Sequence, residues 1–310
     1  MENTVQQNAS PLRIALTATT DVGRVREVNE DGFSLCPDLA AADWSLSATD
    51  GFIDLSPAGA MIIVADGMGG AAAGEVASAI ALKTIAEQFS HVGSAPVSAS
   101  TFRSAIAAAN EAIIRHVDTA PETAGMATTV VVAWLTATQT VVAWCGDSRC
   151  YHYRPGRGLE RVSCDHSYVQ HLVNDGHITE DEALTHPKSN LVTRCLGDTG
   201  APAEPDITIA DIQPGDILLI CSDGLCGYCP DRDIEHIIQR YYDDPPVLQK
   251  ALLQAALDTG GHDNITIAIA KIAEETTTHP SPFTLHPSSF TTHHSKKSFF
   301  KRLFGGTRNA

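Results

Sequence analysis

The chain has 310 residues, of which 43% are hydrophobic. This is enough apolar content for one large domain or two average ones with a sizeable core. The formal net charge is −16, which argues against nucleic acid as a partner because phosphate backbones attract lysine and arginine. The sequence contains no internal repeat and no apolar run long enough to span a membrane.

The first residues lack both the positive charge and the apolar run of a signal peptide, so we expect a cytoplasmic protein. Eight cysteines fit that compartment as reduced thiols. Cys226 and Cys229 form a lone CxxC pair. Because no second pair stands at finger-like spacing, the pattern argues against structural zinc.

In chain order, a polar leader at 1–11 precedes a predicted strand at 12–20. The next loop carries Arg26 five residues before Asp31, with Glu30 beside it. Two interpretations of this arginine remain open. It either forms a plain ion pair, or offers a planar fork to a phosphate that also touches metal ions held by the acids.

After a loop-rich insertion at 36–59, an apolar run at 61–64 predicts a buried strand that stops at Asp66. The glycines that follow let the backbone turn and approach a ligand closely. The carbonyl of Gly67 could then join the Asp66 carboxylate as a hard oxygen donor. The alternative is a tight turn with a capping aspartate.

Alanine-rich helices are predicted at 74–90 and 101–118, with apolar faces that pack against a sheet. Three closely spaced strand candidates follow, and they are typical of antiparallel meanders. Their sequences are TTVVVAWLTA, TVVAWCGD and RCYHYR. The second candidate ends at Gly146 and Asp147, so it repeats the arrangement of a buried strand followed by an acid.

Residues 165–200, here called the flap segment, are polar and predict short helices that lie over a site. Beyond them, an apolar run ends at Asp223, and two helical patterns lead to Asp263 at the start of a last strand. The recurrence of strand-edge acids argues against coincidental turn chemistry. Oxygen-only donors favour Mg²⁺ or Mn²⁺.

Two such ions bridged by one carboxylate would generate a hydroxide for in-line displacement at phosphorus. No covalent nucleophile is then required. This fits a sequence without a G-x-S-x-G elbow and without a cysteine in a phosphate-cradling loop.

Residues 274–310 are rich in Thr, Ser, Pro and His, a composition that cannot bury a core. After Glu275 the chain has five cations and no acid, and 296–304 mixes cations with aromatic residues. Three interpretations remain open for this tail. It is a solvated tail, a peripheral contact with an anionic membrane or an acidic partner protein, or a segment that docks on the acidic face of its own chain.

Five motifs carry a family resemblance when taken in order: VREVNEDGF, VADGMGG, GDSR, CSDGL and GHDNIT. Together they resemble the metal-dependent serine/threonine protein phosphatases of type 2C, over residues 12–273. The flap segment resembles the bacterial branch. The implied fold is α+β, with two packed antiparallel sheets flanked by helices in an α-β-β-α sandwich.

The resemblance implies two Mn²⁺ or Mg²⁺ ions in each active site and a weaker third. Asp66 resembles the carboxylate that bridges two ions, and Gly67 the backbone-carbonyl ligand. Asp223 and Asp263 resemble the other ligands of the first ion, and Glu30 and Asp31 match the acidic pair near the second. Arg26 corresponds to the arginine that holds the substrate phosphate. Asp147, together with Asp223, resembles the site of the third ion.

Three positions depart from the family pattern. Gly227 stands where many relatives have an acid, so the resemblance at the third metal site is incomplete. Met68 stands where animal members have a histidine proposed as general acid, so water would protonate the leaving group. Ala127 replaces a glycine, which is a change of packing more than of chemistry.

The sequence therefore predicts a monomeric phosphatase that acts on phosphoserine and phosphothreonine in proteins and opposes a bacterial Ser/Thr kinase. Two alternatives use the same residues. One is an inert or weakly active pseudophosphatase that binds phosphoproteins, and the other is a small-molecule phosphohydrolase.

Overall fold

A computed structural model of the chain describes residues 12–69, 73–91, 97–200 and 203–274. The predictions for the polar leader and for the tail beyond residue 274, including the 296–304 segment, lie outside the described residues. The remainder forms two antiparallel sheets with helices on their outer faces.

The first sheet contains the two ends of the described chain. Its strands, in spatial order, are β3 (Ile53–Asp54), β1 (Arg13–Asp21), β12 (Ile265–Ile272), β11 (Ile217–Cys221), β8 (Arg149–Arg154) and β9 (Gly158–Arg161). The central strands β11 and β12 are buried along their whole length. This explains their nearly continuous apolar sequences.

The second sheet is built from the middle of the chain. Its strands, in spatial order, are β10 (Asp206–Asp211), β7 (Gln139–Cys145), β6 (Val130–Leu135), β4 (Ala60–Met68) and β2 (Asp31–Cys36), and the short β5 (Ala127–Thr128) pairs with the end of β4. The predicted meander is confirmed for its first two strands, because β6 pairs antiparallel with β7. The third candidate, β8, was wrongly included, since it lies in the first sheet between β11 and β9.

Seven helices are present among the described residues. They are α1 (Ala73–Ser90), α2 (Ala99–Thr119), α3 (Tyr168–Asn174), α4 (Glu180–Leu184), α5 (Asp223–Cys226), α6 (Asp231–Arg240) and α7 (Pro245–Asp258), with a 3-10 turn at Pro121–Thr123. The predicted long helices correspond to α1 and α2. The flap segment contains α3 and α4, as its short-helical pattern predicts.

Alternation along each strand creates a core in three layers. On β4, Ile62 and Val64 pack between the two sheets, whereas Met61 and Ile63 pack against α1 and α2. A third apolar cluster lies between the first sheet and helices α5, α6 and α7. The α-β-β-α sandwich is therefore confirmed, and the strand ends lie at the edges of these layers.

All eight cysteines are free thiols, and seven of them are buried. None of the helices in the described part of the chain combines the length and apolarity needed to cross a membrane.

A buried ion pair stabilises one end of the first sheet. It joins the end of β8 to the turn before β11. Arg154 donates from Nε to Asp216 Oδ1 at 2.9 Å and from Nη2 to Oδ2 at 2.7 Å. The side chain of Asp216 is only 1% exposed. Burial would raise the pKa of this carboxyl, but hydrogen bonds from Arg154 and His152 outweigh burial and lower the pKa to about 2.

Replacing this carboxylate with Asp216→Asn is expected to lower the free energy of unfolding by about 3 kcal/mol at neutral pH, because it leaves Arg154 buried without its counter-charge. The folded pKa lies below the ordinary value of 3.8. The pair therefore contributes fully above that value, and its contribution is lost as the pH falls towards about 2. Urea unfolding of the wild type and of Asp216→Asn, repeated as the pH is lowered, should show the difference between their free energies of unfolding becoming smaller. A difference that does not change with pH would contradict a stabilising charge on Asp216.

Candidate metal centre

Asp66 lies where β4 leaves the core. Residues 60–65 of that strand are fully buried, but β4 does not stop at the acid as the sequence predicts. It continues through Gly67 and Met68, which pair with Thr128 and Ala127 of β5. This short pairing extends the strand two residues past the acid.

The register of the second sheet places two carboxylates side by side. Asp31, the first residue of β2, pairs directly with Asp66. Two like charges in opposite positions on neighbouring strands are destabilising unless a cation lies between them. Asp31 Oδ2 is buried and has no hydrogen-bond partner within the described residues.

Two further acids come from the first sheet. Asp223 opens α5 directly after β11, and Asp263 lies just before β12. These strands are antiparallel neighbours in which Cys221 pairs with Ile267, so the end of one and the start of the other meet at the same edge. This edge lies next to the Asp31 and Asp66 pair.

Asn264 fixes the loop that carries Arg26 and Glu30. Its side-chain nitrogen donates to the carbonyl oxygens of Val22 and Val28, both at 3.0 Å, and its Oδ1 accepts from the N–H of Glu30 at 2.8 Å. This role was not predicted from the sequence. The only available signal was the position of an asparagine next to Asp263.

Glu30 faces the first turn of α1. Its Oε1 accepts from the N–H of Gly74 at 3.1 Å, and its backbone oxygen accepts from the Ser78 hydroxyl at 2.6 Å. Burial is the main reason that the pKa of Glu30 is raised. One carboxylate oxygen is therefore already engaged by the helix.

Asp147 lies in a tight corner after β7. The side chain of Thr129 packs so closely beneath it that a β-carbon at Gly146 would lie 2.4 Å from Thr129 Cβ. Thr129 also connects two acidic corners, since its hydroxyl lies 2.7 Å from the Ser148 hydroxyl and its N–H donates to the Asp66 carbonyl at 2.8 Å. No local sequence pattern predicts this connection.

These elements enclose one cavity of about 190 Å³. Six of the seven predicted ligand residues line it, together with Arg26. The lining is Arg26, Glu30, Asp66, Gly67, Met68, Gly69, Asp147, Asn190, Val192, Asp223 and Asp263. The seventh, Asp31, is the register partner of Asp66. The structure therefore brings all of the predicted site residues together.

The carboxylates of this cavity destabilise one another's charges. Burial, followed by repulsion from Asp31, raises the pKa of Asp66 well above its ordinary value. Burial is also the largest cause for Asp31, whose pKa rises to about 7, and for Asp223, whose pKa rises to about 6. For Asp147, burial and then the charge of Asp223 raise the pKa. Such a cluster requires a counter-cation to remain ionised.

The lining residues offer oxygen donors and neither histidine nor cysteine, which suits hard divalent cations. Within the ranges that the structure describes, no three acidic, histidine or cysteine side chains already meet as a closed ligand cluster. The acids surround the cavity instead. The donor chemistry, the orphaned oxygen of Asp31 and the mutual repulsion nevertheless fit a divalent metal.

Arg26 lies at the rim of the cavity with a 47% exposed side chain. It forms an ion pair, but with Asp263 rather than with Glu30 or Asp31. Its Nη2 donates to Asp263 Oδ2 at 2.7 Å, and this bond is the main reason that the pKa of Arg26 is raised. A phosphate at the rim would meet this guanidinium beside the acids.

Comparisons with known proteins agree with this architecture. A family model described as protein phosphatase 2C matches residues 48–258. The match includes Asp66, Asp147 and Asp223, whereas Arg26 and Asp263 lie outside it.

Two relatives and one solved structure illustrate the similarity. The serine/threonine phosphatase stp of Listeria monocytogenes is 32% identical over 257 residues, which are 81% of this chain and 93% of that protein. The serine/threonine protein phosphatase PstP of Mycobacterium tuberculosis is 36% identical over 216 residues, or 69% of this chain, but the match spans only 40% of that longer protein. The catalytic domain of a phosphatase PstP, solved in complex with two manganese ions, matches with a TM-score of 0.66 and 31% identity, covering 85% of this chain and 100% of that one.

The sandwich fold and the carboxylate cavity define a metal-dependent phosphatase architecture. The chain belongs to the protein phosphatase 2C family.

Proposed function

We propose that this protein hydrolyses phosphoserine and phosphothreonine in proteins, and that residues 12–273 are its catalytic domain. The observation that carries the proposal is the convergence of five aspartates from both sheets on one cavity with Arg26 at its rim. They are Asp31, Asp66, Asp147, Asp223 and Asp263. The relatives named as Ser/Thr phosphatases support the same activity.

We propose that Asp66, Asp223 and Asp263 would hold one divalent cation, and that Asp66, Asp31 and Glu30 would hold a second. The Gly67 carbonyl would add a further oxygen ligand. Mn²⁺ is the ion in a solved relative, and Mg²⁺ suits the same donors. When bound, such ions offset the carboxylate charge and activate water for attack at phosphorus.

The chain's own residues would position the substrate. Arg26 would bind the phosphate oxygens with its planar fork while Asp263 holds the guanidinium in place. Met68 lines the cavity but carries no proton to donate. The proton for the leaving hydroxyl group would therefore come from water.

A third cation would lie beside Asp147 and Asp223, which line both the metal cavity and the neighbouring cavity under the flap segment. Gly227 also lines that second cavity and offers no carboxylate there. We therefore propose that this third position binds more weakly than the other two.

Hydrolysis of phosphothreonine peptides with and without Mn²⁺ tests the proposed function. We expect release of phosphate that depends on the metal. A panel of small phosphate esters and metabolites separates a protein phosphatase from a small-molecule phosphohydrolase. Peptide binding without any hydrolysis would identify a pseudophosphatase and contradict the proposal.

We also propose that a Ser/Thr kinase supplies the phosphoproteins on which this enzyme acts, and that the enzyme works as a monomer. Co-purification of phosphorylated targets with an Asp66→Asn variant would identify such substrates.

Replacing the rim arginine with Arg26→Ala is expected to raise the KM for phosphate esters by about tenfold or more, because a hydrogen bond to a charged group contributes about 1.5–3 kcal/mol. The value of kcat should change less. Arg24→Ala is a matched control, since Arg24 lies two residues away and, among the described residues, the salt bridge of its exposed side chain is a 4.0 Å contact with Asp258. Equal KM values for the two variants would exclude a phosphate-binding role for Arg26.

A further inference from the structure

The flap segment is anchored at its root to the corner that carries Asp147. The backbone N–H of His166 donates to the Gly146 carbonyl at 2.9 Å, and His166 Nδ1 accepts from the Gly146 N–H at 3.1 Å. Asp165 accepts from Arg149 Nε at 2.9 Å and from Nη2 at 2.7 Å. The first two flap residues thus hold the chain on both sides of Asp147.

Arg149 connects this root to the other side of the flap cavity. Its side chain is 11% exposed, and its Nη1 lies 3.0 Å from the Tyr151 hydroxyl, 3.5 Å from the Cys226 carbonyl and 3.5 Å from Asp231 Oδ1. Cys226 ends α5, the short helix that begins with Asp223. One guanidinium therefore contacts the flap root, β8, α5 and the start of α6.

The position of Arg149 connects two cavities. Arg149 and Asp165 line the cavity of about 440 Å³ beneath the flap segment. Asp147, Asp223 and Asn190 line both this cavity and the metal cavity. A shift of the ion pair would therefore alter the flap and two of the acids together.

We infer that Arg149 is a positioning residue, whose pairing with Asp165 fixes the Asp147 corner and α5 relative to the flap segment. The inference rests on the proposed phosphatase function and assigns the flap anchor to that site. A planar fork with two parallel bonds can hold such a geometry, whereas a lysine cannot reproduce it. Arg149 touches no reacting atom and acts through its neighbours.

The chain contains a matched control on the same strand. Arg154, at the other end of β8, makes a similar paired contact with a buried carboxylate, Asp216, and its side chain is 12% exposed. It does not line either site cavity. Arg149→Met and Arg154→Met therefore remove equivalent interactions near to and far from the site.

The experiment compares these two variants with Asp165→Asn, Arg149→Lys and the double variant Arg149→Met/Asp165→Asn. The kcat and KM for a phosphothreonine peptide and for p-nitrophenyl phosphate are measured at saturating Mn²⁺. We expect Arg149→Met to lose about tenfold or more in kcat/KM on the peptide relative to Arg154→Met, at a similar thermal midpoint. The kcat/KM of Arg149→Lys should be as low as that of Arg149→Met. The double variant should have a kcat/KM no lower than that of Arg149→Met alone, because both changes remove the same interaction.

Hydrogen exchange of the metal-free proteins supplies a measurement that does not depend on turnover. Amides of Tyr168–Asn174 should exchange faster in Arg149→Met and Asp165→Asn than in Arg154→Met. If Arg149→Met does not fold, Asp165→Asn carries the same comparison.

Equal kinetics and equal flap exchange in the Arg149 and Arg154 variants would overturn the inference and leave Arg149 as a stabilising core residue. If the wild-type protein hydrolyses neither substrate, the proposed function fails instead. The exchange comparison still decides whether Arg149 anchors the flap.

Discussion

Replacing Asp66 with asparagine is expected to reduce Mn²⁺-dependent turnover by more than about a hundredfold. Loss of a side chain that only supports a metal ligand typically costs about 10- to 100-fold, and loss of a ligand should cost more. The reason is the location of the carboxylate between both sheets. It lies opposite Asp31 in the register of β2 and β4, and it lines the cavity with Asp223 and Asp263. No other side chain of the described residues both pairs with Asp31 across β2 and β4 and lines this cavity.

The same substitution should leave the metal-free fold at least as stable as the wild type. Two bonds to the Asp66 carbonyl, from the Thr129 N–H and the Thr128 hydroxyl, do not involve the carboxylate. Removing one charge also relieves the repulsion that raises the pKa values of this cluster.

Asp216→Asn should have the opposite effects to Asp66→Asn, since it removes a buried and well-paired carboxylate far from the cavity. It should lower stability and preserve turnover per folded molecule. Thermal melting and steady-state kinetics of both variants measure the two effects. Loss of stability without loss of turnover in Asp66→Asn would contradict the assignment of Asp66.

Replacing Gly224 with alanine is expected to have the second largest effect, on both the fold and the site. A β-carbon at this position would lie 1.9 Å from the carbonyl oxygen of Asn264. The backbone at position 224 or at Asn264 must therefore move. Asn264 in turn holds the loop with Arg26 and Glu30, and it follows Asp263 directly.

We expect Gly224→Ala to lower the free energy of unfolding by about 3 kcal/mol and to weaken Mn²⁺ binding, because Asp223 and Asp263 would move apart. Urea unfolding and Mn²⁺ dependence of turnover measure these changes. Gly200→Ala is the control, since within the described ranges a β-carbon there would approach only the side chain of Asp198, at 3.2 Å. If Gly224→Ala and Gly200→Ala both keep wild-type stability and wild-type Mn²⁺ dependence, the close approach of Gly224 to Asn264 does not organise the site.

The sequence predicted much of the architecture because its signals are local. Buried strands such as β4 and β11 are uninterrupted apolar runs, and the helices α1 and α2 have apolar faces at helical spacing. The acids that follow such runs are visible for the same reason. The prediction that β4 stops at Asp66 was wrong because its partner strand β5 is only two residues long and carries no pattern of its own.

Long-range pairings could not be predicted from local patterns. Arg26 was placed beside Glu30 and Asp31 by sequence spacing, whereas its partner in space is Asp263, more than two hundred residues away. The link from Thr129 to Ser148 and the pair of Arg149 with Asp165 also depend on how strands from different hairpins meet. Only the assembled sheets specify these contacts.

The family resemblance supplied what the residues alone left open, namely which acid serves which ion. The structure adds the physical basis for an ion at this place, in the direct pairing of Asp31 with Asp66 and the unpartnered Oδ2 of Asp31. Two of the three positions at which this chain departs from the family pattern, Gly227 and Met68, line cavities at the site.

Calorimetric titration of the metal-free protein with Mn²⁺ tests the central claim most directly. If carboxylates from both sheets form one divalent-cation site, the wild-type protein should bind two Mn²⁺ ions more tightly than any third. Asp66→Asn should lose this binding, whereas Asp216→Asn should retain it. Absence of Mn²⁺ binding by the folded wild-type protein, or undiminished binding by Asp66→Asn, would contradict the account.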